Sequence, residues 1–199
     1  MNRVVITGIG IISCLGNDKN EVLTSLLESK SGLTLNPEYK ENGMRCHISG
    51  QVNPNLDVID RKMLRFMSET SAYAFLSTEE ALADAGLSFE DINNDKTGVI
   101  VGSGTGSSRE LKNVVDTARE KGIKRIGPYA VTRTMGNTTS AAISTFFQTK
   151  GVSFSIASAC STSLHCISYA FDLIKSGRQQ TVIAGGSEDD HWTGAMMFD

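Results

Sequence analysis

Short apolar runs rich in β-branched residues alternate along this chain with longer segments of helical periodicity. The runs lie at 4–8, 97–104 and 152–160 and from Thr181 onward, and glycine or other small residues follow or end each run. Such runs are typical of buried strands. Because strands that alternate with helices form a sheet covered by helix layers, this order predicts an α/β fold rather than a helical bundle or a β-sandwich. A chain of 199 residues can bury one sizeable core or two small ones.

The first part of the chain adds a capped helix and an irregular stretch. Asn17 or Asp18 is suited to cap a helix over 21–32, and Gly32 is suited to stop it. Residues 33–60 contain many turn formers and little periodicity, which predicts an irregular excursion with room for a hairpin.

Three further helices are predicted from caps and periodicity. Asp60 is suited to cap one long helix of about seven turns that ends at Gly86. The segments 135–151 and 161–177 each end in a glycine that can stop a helix. The second of these places one apolar stripe on its surface, formed by Leu164, Ile167, Ala170, Phe171 and Ile174.

The charged residues are nearly balanced, with 19 Lys and Arg against 22 Asp and Glu and a formal net charge of −3. Because nucleic-acid binding requires a clustered basic excess, this composition argues against a nucleic-acid partner. The amino-terminal residues lack the features of a secretory signal, and nowhere do 18 apolar residues follow one another. We therefore expect a cytoplasmic protein with no membrane partner.

The cysteines are spaced irregularly, and no CxxC pair occurs among Cys14, Cys46, Cys160 and Cys166. This spacing suggests neither a disulfide framework nor a zinc site. We expect four reduced thiols, no bound metal and no cofactor.

Cys160 is the residue that most strongly suggests chemistry. In the segment ASACSTS the predicted strand ends, small residues permit a sharp turn, and the thiol lies where the next helix begins. Unpaired N–H groups at a helix start favour the thiolate and can later stabilise an oxyanion. This arrangement predicts a nucleophile for acyl transfer. The alternative is a buried, inert cysteine, which is a common state for this residue type.

The histidines do not suggest an obvious partner for this thiol. His165 lies more than one helical turn beyond Cys160, so we interpret it, like Cys166, as a packing residue. His191 is interpreted as a strand-end or loop residue.

Two glycine clusters, at 8–10 and 102–106, resemble phosphate-binding loops but complete no such pattern. Nucleotide binding is therefore a weak hypothesis, and we expect these glycines to let backbones approach closely. No GxSxG elbow is present.

Basic residues form two small groups, one at 61–65 and one at 121–125. In an acidic protein such groups are candidate docking points for an acidic partner, with two ordinary solvated faces as the alternative.

Several segments together resemble the β-ketoacyl-acyl-carrier-protein synthases of the thiolase superfamily: VITGIGIIS, RFMSETSAYAFLS, VIVGSGTGS, GPYAVTRTMGNTTSA, SIASACSTSLHCI and VIAGGSED. The resemblance covers all 199 residues, and SACSTS is its most specific part. The segments GMRCHISG and DRKMLRFMS look more like the type I synthases of bacterial fatty-acid synthesis than the type II synthases.

This resemblance implies a thiolase-like fold, in which two similar halves pack as a five-layered αβαβα sandwich. Residues 1–199 would be the amino-terminal half, with a mixed sheet and a strand–cysteine–helix nucleophile turn, and we expect the chain to continue beyond MMFD into a second half. The resemblance also implies a homodimer, in which the strand before the cysteine pairs with the same strand of the second subunit.

The resemblance implies an acyltransferase that elongates fatty acyl chains by two carbons. Cys160 would take an acyl group from the phosphopantetheine arm of acyl carrier protein. Decarboxylation of malonyl-acyl-carrier-protein would then supply the carbanion that attacks the thioester. The N–H of Cys160 itself would contribute to the oxyanion hole.

Further site residues are implied by position in the family. The acyl pocket would include Thr105, Met135, Met197 and Phe198, several of them near the dimer seam. The family often has a small or branched residue that tunes chain length at the position of Thr105. The surface that meets the acidic carrier protein would include Arg61, Lys62, Arg65, Lys121 and Lys124.

One departure from the family pattern limits the expected activity. The two catalytic histidines and the active-site lysine of the family lie in its second half, and His47, His165 and His191 do not match them. We therefore expect these 199 residues alone to be unable to condense, although Cys160 could still be acylated.

Three alternatives stay open. A non-catalytic chain-length partner subunit typically lacks the nucleophilic cysteine, so Cys160 counts against it. A thiolase-like relative that uses coenzyme A is distinguished by residues of the second half. A cysteine hydrolase is the most remote, because no partner histidine is evident.

Overall fold

The computed structural model describes residues 2–199, in which helices and strands alternate. The strands are β1 (Thr34–Leu35), β2 (Ile48–Ser49), β3 (Thr97–Gly102), β4 (Ser153–Phe154) and β5 (Thr181–Gly186). The helices are α1 (Lys19–Leu27), α2 (Pro37–Glu41), α3 (Arg61–Leu64), α4 (Glu69–Ala85), α5 (Phe89–Ile92), α6 (Ser108–Lys121), α7 (Ala130–Thr134), α8 (Thr138–Phe146), α9 (Thr162–Lys175) and α10 (Trp192–Ala195).

A parallel sheet of three strands, in the order β4-β3-β5, organises the core. Strand β3 is central and fully buried along its length, with Val99 and Val101 packed towards α4 and α8 and Ile100 packed towards α9. Helices therefore cover both faces of the sheet, as parallel sheets require. Strands β1 and β2 pair antiparallel and form the hairpin of the irregular excursion.

The second apolar cluster lies between α4 and α8, on the same side of the sheet. Met67 and Phe75 are buried there, and the rings of Phe75 and Phe147 are stacked with their centroids 5.0 Å apart. Among residues 2–199, no helix combines the length and the apolar composition that a membrane span requires.

The predicted long helix after Asp60 is two helices. Asp60 caps only the four-residue α3, and Ser68 then caps α4 by accepting a hydrogen bond from the N–H of Ser71. The prediction of one continuous helix was wrong because Ser68 offers a local cap that competes with helix continuation. The predicted stop is confirmed, since Gly86 adopts a left-handed φ of 66°.

The amino-terminal run at 4–8 is not a strand, and its burial was also wrongly predicted. Val5 and Ile6 are exposed, and no strand of residues 2–199 pairs with this segment. Its last residue, Gly8, lies against α4, and just after the run the N–H groups of Ile9 and Ile11 donate to the carboxylates of Asp84 and Glu80. The acidic side chains thus replace the ladder partners of a strand.

Two helix stops and one strand length also differ from the predictions. Helix α1 is capped by Asp18 as expected but ends before Ser29, which has a left-handed φ of 54°, rather than at Gly32. Helix α8 likewise ends before Gln148, whose φ is 52°. The predicted strand at 152–160 is paired with β3 only at Ser153–Phe154.

Helix α9 has two apolar faces, and the structure buries one that shares only Ala170 with the predicted stripe. Cys166, Ala170 and Leu173 pack under β3, whereas Leu164 is 70% exposed. Apart from Leu164, the predicted stripe borders an apolar cavity of about 900 Å³ between α9, α4, β5 and the amino-terminal segment. Strand β5 is only half-buried because it forms the sheet edge on that side.

Candidate nucleophile site

Cys160 lies in a tight turn between β4 and α9. The N–H of Ser161 donates to the carbonyl of Ser158 (3.1 Å), and the N–H of Thr162 donates to the carbonyl of Ala159 (3.1 Å). The hydroxyl of Thr162 accepts from the N–H of Ser158 (2.9 Å) and closes the turn. We call residues 158–162 the nucleophile turn.

Strain is present at the residue immediately before the thiol. Ala159 has a φ of 51°, in the left-handed region that residues with a Cβ rarely adopt. Such a conformation costs about 1–2 kcal/mol and persists only where surrounding contacts hold it. The turn therefore presents Cys160 in a conformation that the rest of the fold must maintain.

Glycines of the two neighbouring strands let β3 and β5 approach the residues on either side of Ala159. A Cβ on Gly102 would lie 2.1 Å from the carbonyl oxygen of Ile156 and 2.6 Å from Cγ2 of Thr162. A Cβ on Gly186 would lie 3.1 Å from Cβ of Ser163. The expectation that the glycine cluster at 102–106 serves close backbone approach is confirmed at Gly102.

The four cysteines differ in exposure. The side chains of Cys160 and Cys46 are exposed, so the predicted alternative of a buried Cys160 is wrong. Cys166 is fully buried, and burial raises the pKa of its thiol, which disfavours the reactive thiolate. Cys166 is thus the packing residue that was predicted. Within residues 2–199 no group of His, Cys, Asp and Glu has metal-site geometry.

The backbone around Cys160 can support an oxyanion. Outside the helices and strands, none of the backbone hydrogen bonds of residues 2–199 uses the N–H of Cys160. This N–H lies just ahead of α9, a 14-residue helix whose start carries partial positive charge. The geometry therefore combines an accessible thiol with a backbone donor next to it.

His165 is not the packing residue that we predicted. Its side chain is exposed, because α9 turns this position away from the sheet, and its Nδ1 forms a hydrogen bond of 2.6 Å with Oγ of Ser158. Within residues 2–199 no hydrogen bond joins this ring to the Cys160 thiol. His191, predicted as a loop residue, is the buried N-cap of α10, where Nδ1 forms a hydrogen bond of 2.6 Å with Oγ1 of Thr193.

The four predicted acyl-pocket residues lie outside the 900 Å³ cavity. Thr105, Met197 and Phe198 are exposed, and Met135 is half-buried. The cavity is lined by the amino-terminal segment, α4, α9 and β5, and neither these four residues nor Cys160 contribute to it. Thr105 directly follows Gly104, where a Cβ would lie 3.2 Å from Ala159 of the nucleophile turn.

The predicted docking residues are all solvent-exposed. Arg61 and Lys62 lie in α3 and Arg65 caps its end, while Lys121 ends α6 and Lys124 lies in the following 3-10 turn. Within residues 2–199 none of the five forms an ion pair. Their charges are therefore available to a partner.

One residue near the site was not predicted from the sequence. Glu188 follows β5, and its carboxylate accepts hydrogen bonds from Ser103, Gly104 and Thr105. The only sequence signal was its place in the motif VIAGGSED, because these contacts join positions more than 80 residues apart.

Comparison with known proteins agrees with this geometry. The chain is 48% identical over 202 residues to 3-oxoacyl-[acyl-carrier-protein] synthase 1 of Haemophilus influenzae and 50% identical over 202 residues to the protein of the same name from Escherichia coli K12. Each alignment covers 100% of this chain and 50% of the relative, so the chain spans about half the length of these curated relatives. Both are named as synthase 1, in agreement with the type I resemblance.

Among solved structures, a β-ketoacyl synthase from Burkholderia phymatum superposes with a TM-score of 0.86 at 28% identity, covering 100% of this chain and 50% of that one. The predicted thiolase-like α/β fold is thereby confirmed. The family model described as Beta-ketoacyl synthase, N-terminal domain, matches residues 1–199. The match covers the whole chain, and it agrees with the layered fold and with an exposed cysteine in a strained turn ahead of a helix. The chain therefore belongs to the β-ketoacyl synthase family.

Proposed function

We propose that residues 1–199 are the amino-terminal, nucleophile-bearing domain of a 3-oxoacyl-acyl-carrier-protein synthase, and that Cys160 is the residue that becomes acylated. The observation that carries this proposal is the exposed Cys160 thiol in the nucleophile turn. Its own backbone N–H donates no backbone hydrogen bond outside the helices and strands of residues 2–199. The curated relatives are named for the same activity.

In the first step, the Cys160 thiolate attacks the acyl carbonyl of an acyl-carrier-protein thioester. A carbon–sulfur bond forms to Cys160, the bond to the phosphopantetheine sulfur breaks, and that sulfur leaves as a thiolate, which takes up the proton that Cys160 released to solvent on ionising. The tetrahedral oxyanion is stabilised by the N–H of Cys160. This assignment is supported by the position of that N–H ahead of α9.

In the second step, malonyl-acyl-carrier-protein loses carbon dioxide, and the resulting carbanion attacks the carbonyl carbon of the Cys160 thioester. A carbon–carbon bond forms, the carbon–sulfur bond to Cys160 breaks, and Cys160 leaves as the thiolate. The product is a 3-oxoacyl-acyl-carrier-protein whose acyl chain is longer by two carbons. This step needs donors for the developing charge, and His47, His165 and His191 form no hydrogen bond with Cys160 within residues 2–199. We propose that residues 1–199 alone accept an acyl group but do not condense.

The acyl chain and the carrier protein are assigned to different surfaces. We propose that Thr105, Met135, Met197 and Phe198 line the acyl pocket once further residues cover them, since three of the four are exposed here. The carrier protein would dock on the basic surface formed by Arg61, Lys62, Arg65, Lys121 and Lys124. Free charges on this surface suit an acidic partner.

A cytoplasmic homodimer is the proposed state of the protein. Residues 155–159, between β4 and Cys160, form no strand within the described part of the chain. This supports pairing of the segment with a second copy. The absence of a membrane-spanning helix in the described residues is consistent with this location.

The direct test is transfer of a radiolabelled acyl group from acyl-acyl-carrier-protein to the protein. We expect a thioester on Cys160, sensitive to hydroxylamine, and no label on Cys160→Ser. The matched control is Cys46→Ser, because Cys46 is also exposed, and it should retain the label. Transfer that persists in Cys160→Ser would contradict the proposal.

A further inference from the structure

One carboxylate beside the site holds three consecutive residues of the turn that follows β3. Glu188 accepts from the hydroxyl of Ser103 at 2.7 Å, from the N–H of Gly104, and from the hydroxyl of Thr105 at 3.3 Å. The β3–β5 ladder leads directly into this contact, because the N–H of Ser187 donates to the carbonyl of Gly102 at 3.1 Å. Glu188, which follows β5, thus links the end of β5 to the turn that follows β3, at the end of the sheet nearest the nucleophile turn.

The turn held by Glu188 lies against the nucleophile turn. A Cβ on Gly104 would be 3.2 Å from Cα, C and O of Ala159, so the two backbones are in contact. Ser103 is buried, and its hydroxyl also accepts from the N–H of Gly106 at 2.8 Å. One chain of contacts therefore runs from Glu188 through Gly104 to Ala159, which directly precedes Cys160.

The two acids that follow Glu188 have other partners. Asp189 accepts from the hydroxyl of Ser107 at 2.7 Å, and Asp190 accepts from the hydroxyls of Tyr39 (2.5 Å) and Ser49 (2.7 Å). Within residues 2–199 Glu188 forms no ion pair, although its side chain is exposed. Both oxygens of its carboxylate are used on the turn.

We propose that Glu188 is a positioning residue for the nucleophile. It fixes the turn at 103–105, which in turn keeps Ala159 in its left-handed conformation and so determines where the Cys160 thiol lies relative to the start of α9. Through the same carboxylate it orients the hydroxyl of Thr105. Any effect of this orientation on bound acyl chains rests on the proposed function, which assigns Thr105 to the acyl pocket. The effect of Glu188 on Cys160 does not rest on it.

The test is the rate of iodoacetamide labelling at each cysteine, measured by peptide mapping in the wild-type chain and in Glu188→Gln. The amide keeps the size of the side chain but loses the charge and one acceptor. We expect labelling of Cys160 to slow by about fivefold, because a thiolate displaced from the start of α9 loses its favourable interaction with the partial positive charge there. Labelling of exposed Cys46 should stay unchanged, and buried Cys166 should stay protected.

The matched control is Asp189→Asn, an equal change at the next residue, which contacts Ser107 instead of the turn. It should leave the rate of Cys160 labelling equal to that of wild type, because its carboxylate contacts Ser107 and not the turn at 103–105. An unchanged Cys160 rate in Glu188→Gln, or equal slowing in Asp189→Asn, would overturn the proposal.

If Glu188→Gln unfolds, the buried Cys166 becomes labelled. In that case a second variant tests the proposal. Thr105→Val removes one hydroxyl from an exposed side chain that donates to Glu188. We expect it to slow Cys160 labelling by about twofold, and a rate equal to wild type would overturn the proposal. Iodoacetamide requires no acyl chain or carrier protein, so a failure of acyl transfer would remove the proposed function and leave this result standing.

Discussion

Gly104 and Ala159 are in direct backbone contact, although they are 55 positions apart in the chain: a Cβ on Gly104 would lie 3.2 Å from Cα, C and O of Ala159. Ala159 is also the residue whose φ of 51° turns the chain sharply before Cys160. The contact therefore links the end of β3 to the conformation of the nucleophile turn.

Gly104→Ala tests this contact. The added methyl group must push Ala159 away, so we expect slower labelling of Cys160 and a loss of about 1–2 kcal/mol in the free energy of unfolding. Urea denaturation and thiol labelling measure the two effects. Gly127→Ala is the control, because nothing lies within 4 Å of a Cβ at Gly127. Equal effects at both glycines would show that the contact has no special role.

Ala159→Gly tests the strain at the turn itself. Glycine adopts a left-handed φ without the steric cost of a Cβ, so we expect this variant to raise the free energy of unfolding by about 1 kcal/mol. Gly86→Ala is the reverse change at a φ of 66° with open space around it, and it should lower the value by about 1 kcal/mol. Destabilisation by Ala159→Gly in urea denaturation would argue against strain at Ala159.

His191 should make stability depend on pH. Burial, followed by Arg109 and more weakly Lys112, lowers its pKa below the usual 6.5, and these effects outweigh the opposing charges of Glu38 and Asp189. The unfolded chain therefore takes up the proton first as the pH falls. Stability linked to His191 is present above pH 6.5 and is lost as the pH falls below it.

The measurement for His191 is urea denaturation from about pH 8 to about pH 5 for wild type and His191→Asn, which keeps an N-cap acceptor without titrating. The stability difference, wild type minus variant, should fall with decreasing pH by up to about 1.4 kcal/mol per pH unit. A difference that does not vary with pH contradicts the prediction.

Charge reversal tests the proposed docking surface. Lys62→Glu should weaken binding of acyl carrier protein by about fivefold at low ionic strength, because an attraction becomes a repulsion, and added salt should reduce the effect. Isothermal titration measures it. Lys96→Glu is the control, since Lys96 is exposed at the other end of β3 from the nucleophile turn. Equal weakening by both variants would indicate a general charge effect without a docking surface.

Local signals in the sequence predicted the parts of the fold that depend on local contacts. Asp18 caps α1 and Gly86 ends α4 through contacts between residues near in sequence. Strand β3 was predictable because its run is mostly apolar, and it is buried along its length. The position of Cys160 just ahead of α9 was predictable for the same reason.

Long-range contacts account for what the sequence did not predict. The run at 4–8 has the composition of a strand but pairs with no strand of residues 2–199, and the N–H groups of Ile9 and Ile11 just after it bind carboxylates of α4. The apolar character of α9 extends over two faces, and composition alone does not say which face meets β3. Glu188 contacts a turn more than 80 residues away, which no local pattern encodes.

The most direct test of the account is peptide-mapped labelling by a limiting amount of an epoxide that carries an acyl-like chain, on the wild-type chain and on Cys160→Ser. The account predicts a single adduct, located on Cys160 and absent from the variant, because only this thiol lies in the nucleophile turn. No adduct, or equal labelling of Cys14, Cys46 and Cys160, would contradict the claim that the fold prepares Cys160 for attack.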